Sequence, residues 1–94
     1  MSAPSHVYVI STFGGFFSKI GVSDSPRKRL AQLQTACPHE LTLCYSLAFR
    51  DRSEARVIEH AAHELLADRR EAGEWFDIPP DMGMDAIMQV AGIE

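Results

Sequence analysis

Two short β-rich runs, separated by a pair of glycines, indicate how the fold begins. The first run reads His6-Val7-Tyr8-Val9-Ile10-Ser11-Thr12, and the second reads Phe16-Phe17-Ser18-Lys19-Ile20-Gly21-Val22. Gly14 and Gly15 lie between the runs and tolerate the positive φ angles of a tight hairpin turn. The sequence therefore predicts two antiparallel strands. Gly21, inside the second run, predicts a bulge or the close approach of another group to the backbone.

Helical and extended segments follow the hairpin in alternation. Asp24-Ser25-Pro26 indicates a helix start, and we expect this helix over residues 26–36. Residues 41–50 alternate between large apolar and small side chains, which is the period-2 pattern of a strand. An apolar stripe predicts a second helix over residues 54–70, with Gly73 marking its end.

The C-terminal part of the chain predicts two further elements. Residues 74–78 form a short extended edge segment that two prolines close, and residues 81–92 form a final helix. Met84, Ile87, Met88 and Ala91 are expected on the inner side of this helix. The order is therefore β-β-α-β-α with an edge segment and a last helix, which predicts an α+β fold.

Length and composition limit the class of protein. With 94 residues, of which 46% are hydrophobic and 23% charged, the chain is typical of one globular domain over residues 1–94. No apolar run approaches the roughly 18 residues of a membrane span, and residues 1–5 lack a signal-peptide pattern. Cys37 and Cys44 give no disulfide framework. We therefore expect a cytoplasmic protein without a membrane partner.

The formal charge of −4 is unevenly distributed. Residues 1–70 carry nine basic and seven acidic side chains, a net of +2, whereas residues 71–94 carry six acidic ones and a net of −6. The acidity, which argues against nucleic-acid binding if it is uniform, thus belongs to the tail. Lys19, Arg27, Lys28 and Arg29 predict a basic cluster beside a helix start, and its alternative interpretation is a solvated helix face.

Two groups of side chains have the spacing of ligand sites. Glu59 and His63 are four residues apart on one helix, where they can bind a metal ion or a phosphate or form a local hydrogen bond. Cys37, His39 and Cys44 offer three zinc ligands without a fourth. Spacing alone leaves these alternatives open.

Several stretches together resemble the GIY-YIG endonuclease superfamily, and more closely a compact phage and microbial branch in which the second motif reads K-I-G. The matching stretches are Val7-Tyr8-Val9-Ile10, Lys19-Ile20-Gly21-Val22-Ser23, Ser25-Pro26-Arg27-Lys28-Arg29-Leu30, Ala55-Arg56-Val57-Ile58-Glu59, His63 and Gly73-Glu74-Trp75-Phe76. The resemblance covers about residues 6–78 and leaves residues 79–94 as an acidic C-terminal extension.

This resemblance implies a three-stranded antiparallel sheet flanked by helices, and a divalent ion, Mg²⁺ or Mn²⁺, that supports phosphodiester hydrolysis. Tyr8 corresponds to the tyrosine of the first motif, and Lys19 stands where the second tyrosine usually stands. Arg29 corresponds to the helix arginine and Glu59 to the metal-binding glutamate. His63 matches a feature of the compact branch.

The implied roles agree with the chemistry of the reaction. An arginine such as Arg29 pairs with phosphate oxygens, and Tyr8 or His63 can take a proton from water. Lys19 is expected to contact a phosphate. The residues expected to contact DNA are Lys19, Ser23, Arg27, Lys28 and Arg29.

The sequence therefore predicts a metal-dependent endonuclease domain that hydrolyses DNA. The replacement of a tyrosine by Lys19 favours an alternative, a catalytically weak or inactive module that binds DNA or protein. No separate DNA-recognition domain accompanies the core, so a protein partner that supplies specificity is also expected. A third hypothesis is a homodimer that uses Met84, Ile87 and Met88, and the choice between monomer and homodimer stays open.

Overall fold

One antiparallel sheet of five strands forms the centre of the molecule. The computed structural model describes residues 3–93, so that Met1, Ser2 and the acidic Glu94 of the predicted tail lie outside the described residues. The strands are β1 (Ser5–Thr12), β2 (Ser18–Ser23), β3 (Leu41–Phe49), β4 (Arg70–Ala72) and β5 (Trp75–Phe76). They lie in the order β3-β1-β2-β5-β4, so β1 is covered by a strand on each side.

Three helices pack on this sheet. They are α1 (Pro26–Thr35), α2 (Arg52–Leu65) and α3 (Pro80–Ala91), with a single 3₁₀ turn at Ala67–Arg69. The α+β prediction is confirmed. No helix within residues 3–93 is long and apolar enough to cross a membrane.

The period-2 alternation of β1 divides the core into two layers. Val7 and Val9 are fully buried in the larger core cluster, which contains residues of α2 and α3. Tyr8 and Ile10 lie in the smaller cluster, packed with Leu30 of α1. Because successive side chains of a strand point to opposite faces, β1 holds α1 on one side of the sheet and α2 and α3 on the other.

The prediction of a three-stranded sheet is wrong in strand number. The residues expected to form a simple edge segment instead belong to a hairpin, in which β4 pairs with β5 and β5 pairs with β2. Strands of three and two residues are too short to show period 2. Strand β5 lies within the extended segment predicted over residues 74–78, whereas β4 and its pairing with β5 were not predicted.

The predicted end of the second helix is also wrong. Helix α2 ends at Leu65, and Leu66 is buried in the core before the chain turns through the 3₁₀ segment. This turn returns the chain to the sheet, where the amide of Asp77 donates to the carbonyl of Arg69 at 2.7 Å. Gly73 therefore does not end a helix. Its φ of 57° serves the turn between β4 and β5.

The last helix follows the prediction closely. It covers Pro80–Ala91, and Gly92 ends it in the left-handed conformation. Ile87 is fully buried in the core of the same chain. Met84 and Met88 are half-buried. The side chains named for a homodimer surface thus contribute largely to the fold of a single chain.

Candidate active site

The ring of Tyr8 crosses strand β2 at Gly21. Tyr8 pairs with Gly21 across the β1–β2 ladder, and a Cβ atom on residue 21 would lie 2.6 Å from Cζ of the Tyr8 ring. Only a glycine leaves this space open, so the predicted close approach to the backbone is confirmed. Strand β5 pairs only with Ser18 and Lys19 of β2, which leaves the rest of that edge free of a strand partner.

A polar cleft of about 350 Å³ lies beside this edge. We call it the site cleft, and its lining residues are Tyr8, Val22, Ser23, Arg29, Gln32, Arg52, Arg56, Glu59 and Glu74. Helix α1 supplies Arg29, helix α2 supplies Glu59, and the β4–β5 turn supplies Glu74. The structure thus brings together side chains that are more than sixty residues apart in the chain.

Glu59 is almost fully buried at the wall of the site cleft. Its exposed fraction is 3%. Glu59 lies in the middle of helix α2, so its carboxyl group does not cap either end of the helix. Burial raises the pKa of Glu59, and the charge of the nearby Glu74 carboxylate raises it further. Two carboxyl groups therefore share one wall of the site cleft, an unfavourable arrangement unless a cation or a proton compensates it.

Lys19 provides part of that compensation. Its Nζ donates to Oε1 of Glu74 at 2.7 Å, and only 7% of Lys19 is exposed. Burial of Glu74 acts to raise its pKa, but the hydrogen bond and charge of Lys19 outweigh this effect, and the pKa of Glu74 is lowered. Glu74 is thus held ionised. The amino group expected to contact a phosphate is engaged by a carboxylate of the protein itself.

Tyr8 is held in its protonated form. Burial raises the pKa of the phenol, the Arg29 guanidinium acts in the opposite direction, and the charges of Glu74 and Glu59 raise the pKa again. The net direction is upward, so at neutral pH the phenol carries its proton. Tyr8 offers one O–H donor and oxygen lone pairs inside the site cleft.

His63 lies beside the site cleft and contacts the same strand. Its Nε2 is 2.8 Å from the carbonyl oxygen of Ile20. Since a carbonyl only accepts, Nε2 carries the proton of the neutral ring. Burial lowers the pKa of His63, although the hydrogen bond to Ile20 acts to raise it. The ring therefore bonds to β2 in place of the local bond to Glu59 that spacing allowed.

The predicted basic cluster is divided by the structure. Arg29 lines the site cleft, and so does Ser23, whose Oγ accepts from the Ser25 amide at 3.0 Å. Arg27 and Lys28 are exposed on α1 and are not among the residues that line this cleft. Of the α1 cations, only Arg29 is thus placed to meet a bound anion there.

Sequence reasoning missed Glu74 and Arg56 as site residues. Arg52, Arg56, Glu59 and His63 follow each other by four, three and four residues, a spacing that aligns them on one face of a helix. This polar face adjoins the apolar stripe of α2, and its spacing in the sequence could have indicated Arg56 as a site residue. Glu74 had only the Gly-Glu-Trp-Phe match to indicate it, and no spacing rule links it to Glu59.

The carboxyl pair fits a hard divalent ion. Glu59 and Glu74 would supply its oxygen ligands, since Mg²⁺ is commonly bound through one or two carboxylates while it keeps several waters. Within residues 3–93, no group of three or more His, Cys, Asp or Glu side chains could hold a metal ion, so the zinc alternative at Cys37, His39 and Cys44 has no support there. A fully protein-made metal cage is likewise absent from the described part of the chain.

The three arginines around the polar cleft of this α+β domain have the chemistry of anion-binding groups, and the paired carboxyl groups beside them would hold a cation. The T5orf172 domain family matches residues 5–91, and the chain belongs to this family. It is a GIY-YIG-like family associated with phage nucleases, although the match itself shows no GIY-YIG motif. No curated protein and no solved structure matches the chain.

Proposed function

We propose that this protein is a metal-dependent endonuclease domain that hydrolyses DNA phosphodiester bonds. One observation carries the proposal: Tyr8, Arg29, Glu59 and Glu74 line a single polar cleft that is open to solvent. Membership of the T5orf172 family supports it, because that family is compatible with nuclease and DNA-binding functions. The acidity of residues 71–94 does not oppose it, since three arginines line the cleft beside its two carboxyl groups, of which Glu74 belongs to that acidic part of the chain.

The arginines bind the phosphate in this proposal. Arg29 comes from α1 and Arg56 from α2, so the two guanidinium groups approach the site cleft from different helices. Guanidinium groups pair with phosphate oxygens through two parallel hydrogen bonds and neutralise the charge that develops on phosphorus. Arg29 and Arg56 therefore hold the scissile phosphate over the carboxyl pair.

The remaining residues prepare the attacking water. Tyr8 keeps its proton and orients a water molecule through its phenolic oxygen, and Glu59 and Glu74 are the residues that would hold Mg²⁺ or Mn²⁺. When bound, such an ion lowers the pKa of a coordinated water and screens the phosphate charge. Lys19 keeps Glu74 ionised, and His63 holds the β2 backbone at Ile20. Both are positioning residues.

Nicking of supercoiled plasmid tests the proposal. Wild type is expected to nick in Mg²⁺ or Mn²⁺ and to be inactive in a chelator, and Glu59→Gln is expected to lose at least about 100-fold in rate. Glu64→Gln is the matched control, because Glu64 is an exposed glutamate of the same helix that does not line the site cleft. A wild type that cleaves nothing with either ion would contradict the enzymatic proposal.

A second function is favoured by the pairing of Lys19 with Glu74. Where a second tyrosine usually stands, the chain has a buried cation that already neutralises a carboxylate of the site. A module that binds DNA without cutting it is compatible with this arrangement. Such a module would bind DNA equally well with and without a chelator, and the Glu59→Gln variant would bind DNA like wild type. A pull-down with DNA and one with cell extract would show whether its partner is DNA or a protein.

A further inference from the structure

A second depression, the apolar groove, adjoins the site cleft. It has about the same volume, 350 Å³, and its lining residues are Thr12, Phe17, Leu33, Ala36, Cys37, Pro38, Leu41 and Trp75. None of these side chains carries a charge. The groove therefore suits a neutral, flat and largely apolar group, and it offers nothing to a phosphate.

The groove and the site cleft are consecutive segments of one surface. Helix α1 lines both, since Arg29 faces the site cleft and Leu33, one turn further, faces the groove. One turn of four residues advances about 6 Å along a helix axis. On the opposite wall, Glu74 lines the site cleft and the next residue, Trp75, lines the groove. A ligand that fills both the site cleft and the apolar groove would have a charged group close to a flat apolar group.

Exposed aromatic rings extend the groove toward the tip of the β1–β2 hairpin. Phe13 and Phe16 are 76% and 71% exposed, and with Thr12 and Phe17 they border a further depression. The tip is tied down, because the amide of Thr12 donates to the carbonyl of Phe17 at 3.0 Å. Large apolar side chains held in water at an ordered turn are typical of a binding surface.

We propose that the apolar groove binds an unpaired nucleobase of single-stranded DNA. The inference rests on the proposed function, because the phosphate next to this base would occupy the site cleft beside Arg29. In a duplex the bases are paired and stacked, and their flat faces cannot reach a protein groove, whereas an unpaired base can stack on an aromatic ring. Trp75 and Phe17 supply such rings. The preferred substrate class is therefore DNA with unpaired nucleotides.

Trp75 gives a direct test, because it is the single tryptophan of the chain. An oligothymidylate of about 12 nucleotides is titrated into the protein in a chelator, so that no cleavage occurs, and tryptophan emission is recorded. Saturable quenching by the single strand is expected, with a blunt duplex of equal length binding more weakly and leaving emission unchanged. Phe17→Ala is expected to weaken single-strand binding by roughly 5- to 150-fold, as the loss of one stacked base does.

Val57→Ala is the control, since Val57 is 68% exposed on α2 and lies away from the groove. It is expected to bind the single strand like wild type. Unchanged Trp75 emission with bound single strand, or equal affinity for single strand and duplex, would overturn the proposal. The wild-type emission decides this even if Phe17→Ala does not fold. Absence of cleavage of both the plasmid and the oligothymidylate in Mg²⁺ or Mn²⁺, with quenching retained, would refute the enzymatic function alone. Cleavage without quenching would refute the groove alone.

Discussion

Tyr8 and Gly21 are partners across the β1–β2 ladder, and the Tyr8 ring occupies the space that a Cβ on residue 21 would need. Such a Cβ would be 2.6 Å from Cζ of Tyr8, well inside van der Waals contact. The hydroxyl of Tyr8 can reach the site cleft only because β2 has no side chain at this point. The glycine of the K-I-G motif thus has a steric explanation in this fold.

Gly21→Ala is therefore expected to damage both stability and site. The added methyl group overpacks a buried position, which costs about 1–3 kcal/mol, and it displaces the Tyr8 ring from the site cleft. Thermal unfolding should show a Tm lower by roughly 4–8 °C for each kcal/mol, and nicking should fall sharply. Gly83→Ala is the control for adding a methyl group at a buried glycine away from Tyr8. Its Cβ would lie 3.3 Å from Cγ1 of Val9, in the other core layer. A Gly21→Ala variant with wild-type Tm would contradict this account.

Glu59→Gln is expected to stabilise the protein at neutral pH. The pKa of Glu59 is raised in the folded state, so its favourable contribution is complete below the unfolded value of about 4.3 and is lost as pH rises through the folded value. A glutamine at position 59 does not ionise, so its contribution to stability does not fall as the pH rises. The Tm of Glu59→Gln minus that of wild type should therefore be positive at pH 7 and should shrink toward pH 4. A difference that grows on acidification would contradict the raised pKa.

Lys19 and Glu74 are expected to be energetically coupled. Lys19→Met leaves the Glu74 carboxylate beside Glu59 without its cation, and the loss should be about 1–3 kcal/mol, less than for a fully buried pair because the Glu74 side chain is 41% exposed. Urea unfolding of Lys19→Met, Glu74→Gln and the double variant gives the coupling energy. The double variant should recover part of the loss. Strictly additive effects would show that the 2.7 Å contact contributes nothing.

His63 is expected to make stability fall on mild acidification. Its folded pKa is lowered by burial, so below about 6.5 the unfolded chain takes up a proton that the folded chain does not. Stability is lost from that pH down to the folded value. His63→Gln keeps a donor for the Ile20 carbonyl and cannot titrate, so the Tm of wild type minus that of His63→Gln should decrease between pH 7 and pH 5. A constant difference would contradict a neutral, half-buried imidazole ring.

Long periodic elements were the predictable part of the fold. The hairpin of β1 and β2, the helix after Pro26 and the alternating strand β3 all carry their own period and their own turn or cap residues. The β4–β5 hairpin shows no such period in the sequence, since β4 is exposed along its whole length. Its position depends on pairing with β2, a long-range contact that local pattern does not encode.

The site was predictable only where a family motif or a helical period indicated it. The resemblance indicates Tyr8, Arg29 and Glu59, and the structure brings them to one cleft. The partnership of Lys19 with Glu74 joins residues 55 positions apart, and the burial of Lys19 is a property of the assembled sheet edge. No spacing in the chain could indicate that Lys19 contacts a carboxylate rather than a phosphate.

Two arginines of helix α1 show whether the scissile phosphate lies in the site cleft. Arg29 lines the cleft and Arg27, two residues earlier, is exposed outside it. Single-turnover cleavage of plasmid in Mg²⁺ is measured for Arg29→Ala and Arg27→Ala. We expect the first to be slower by roughly 100-fold or more and the second to stay within about twofold of wild type. Equal rates for the two variants would show that the scissile phosphate does not lie in the site cleft.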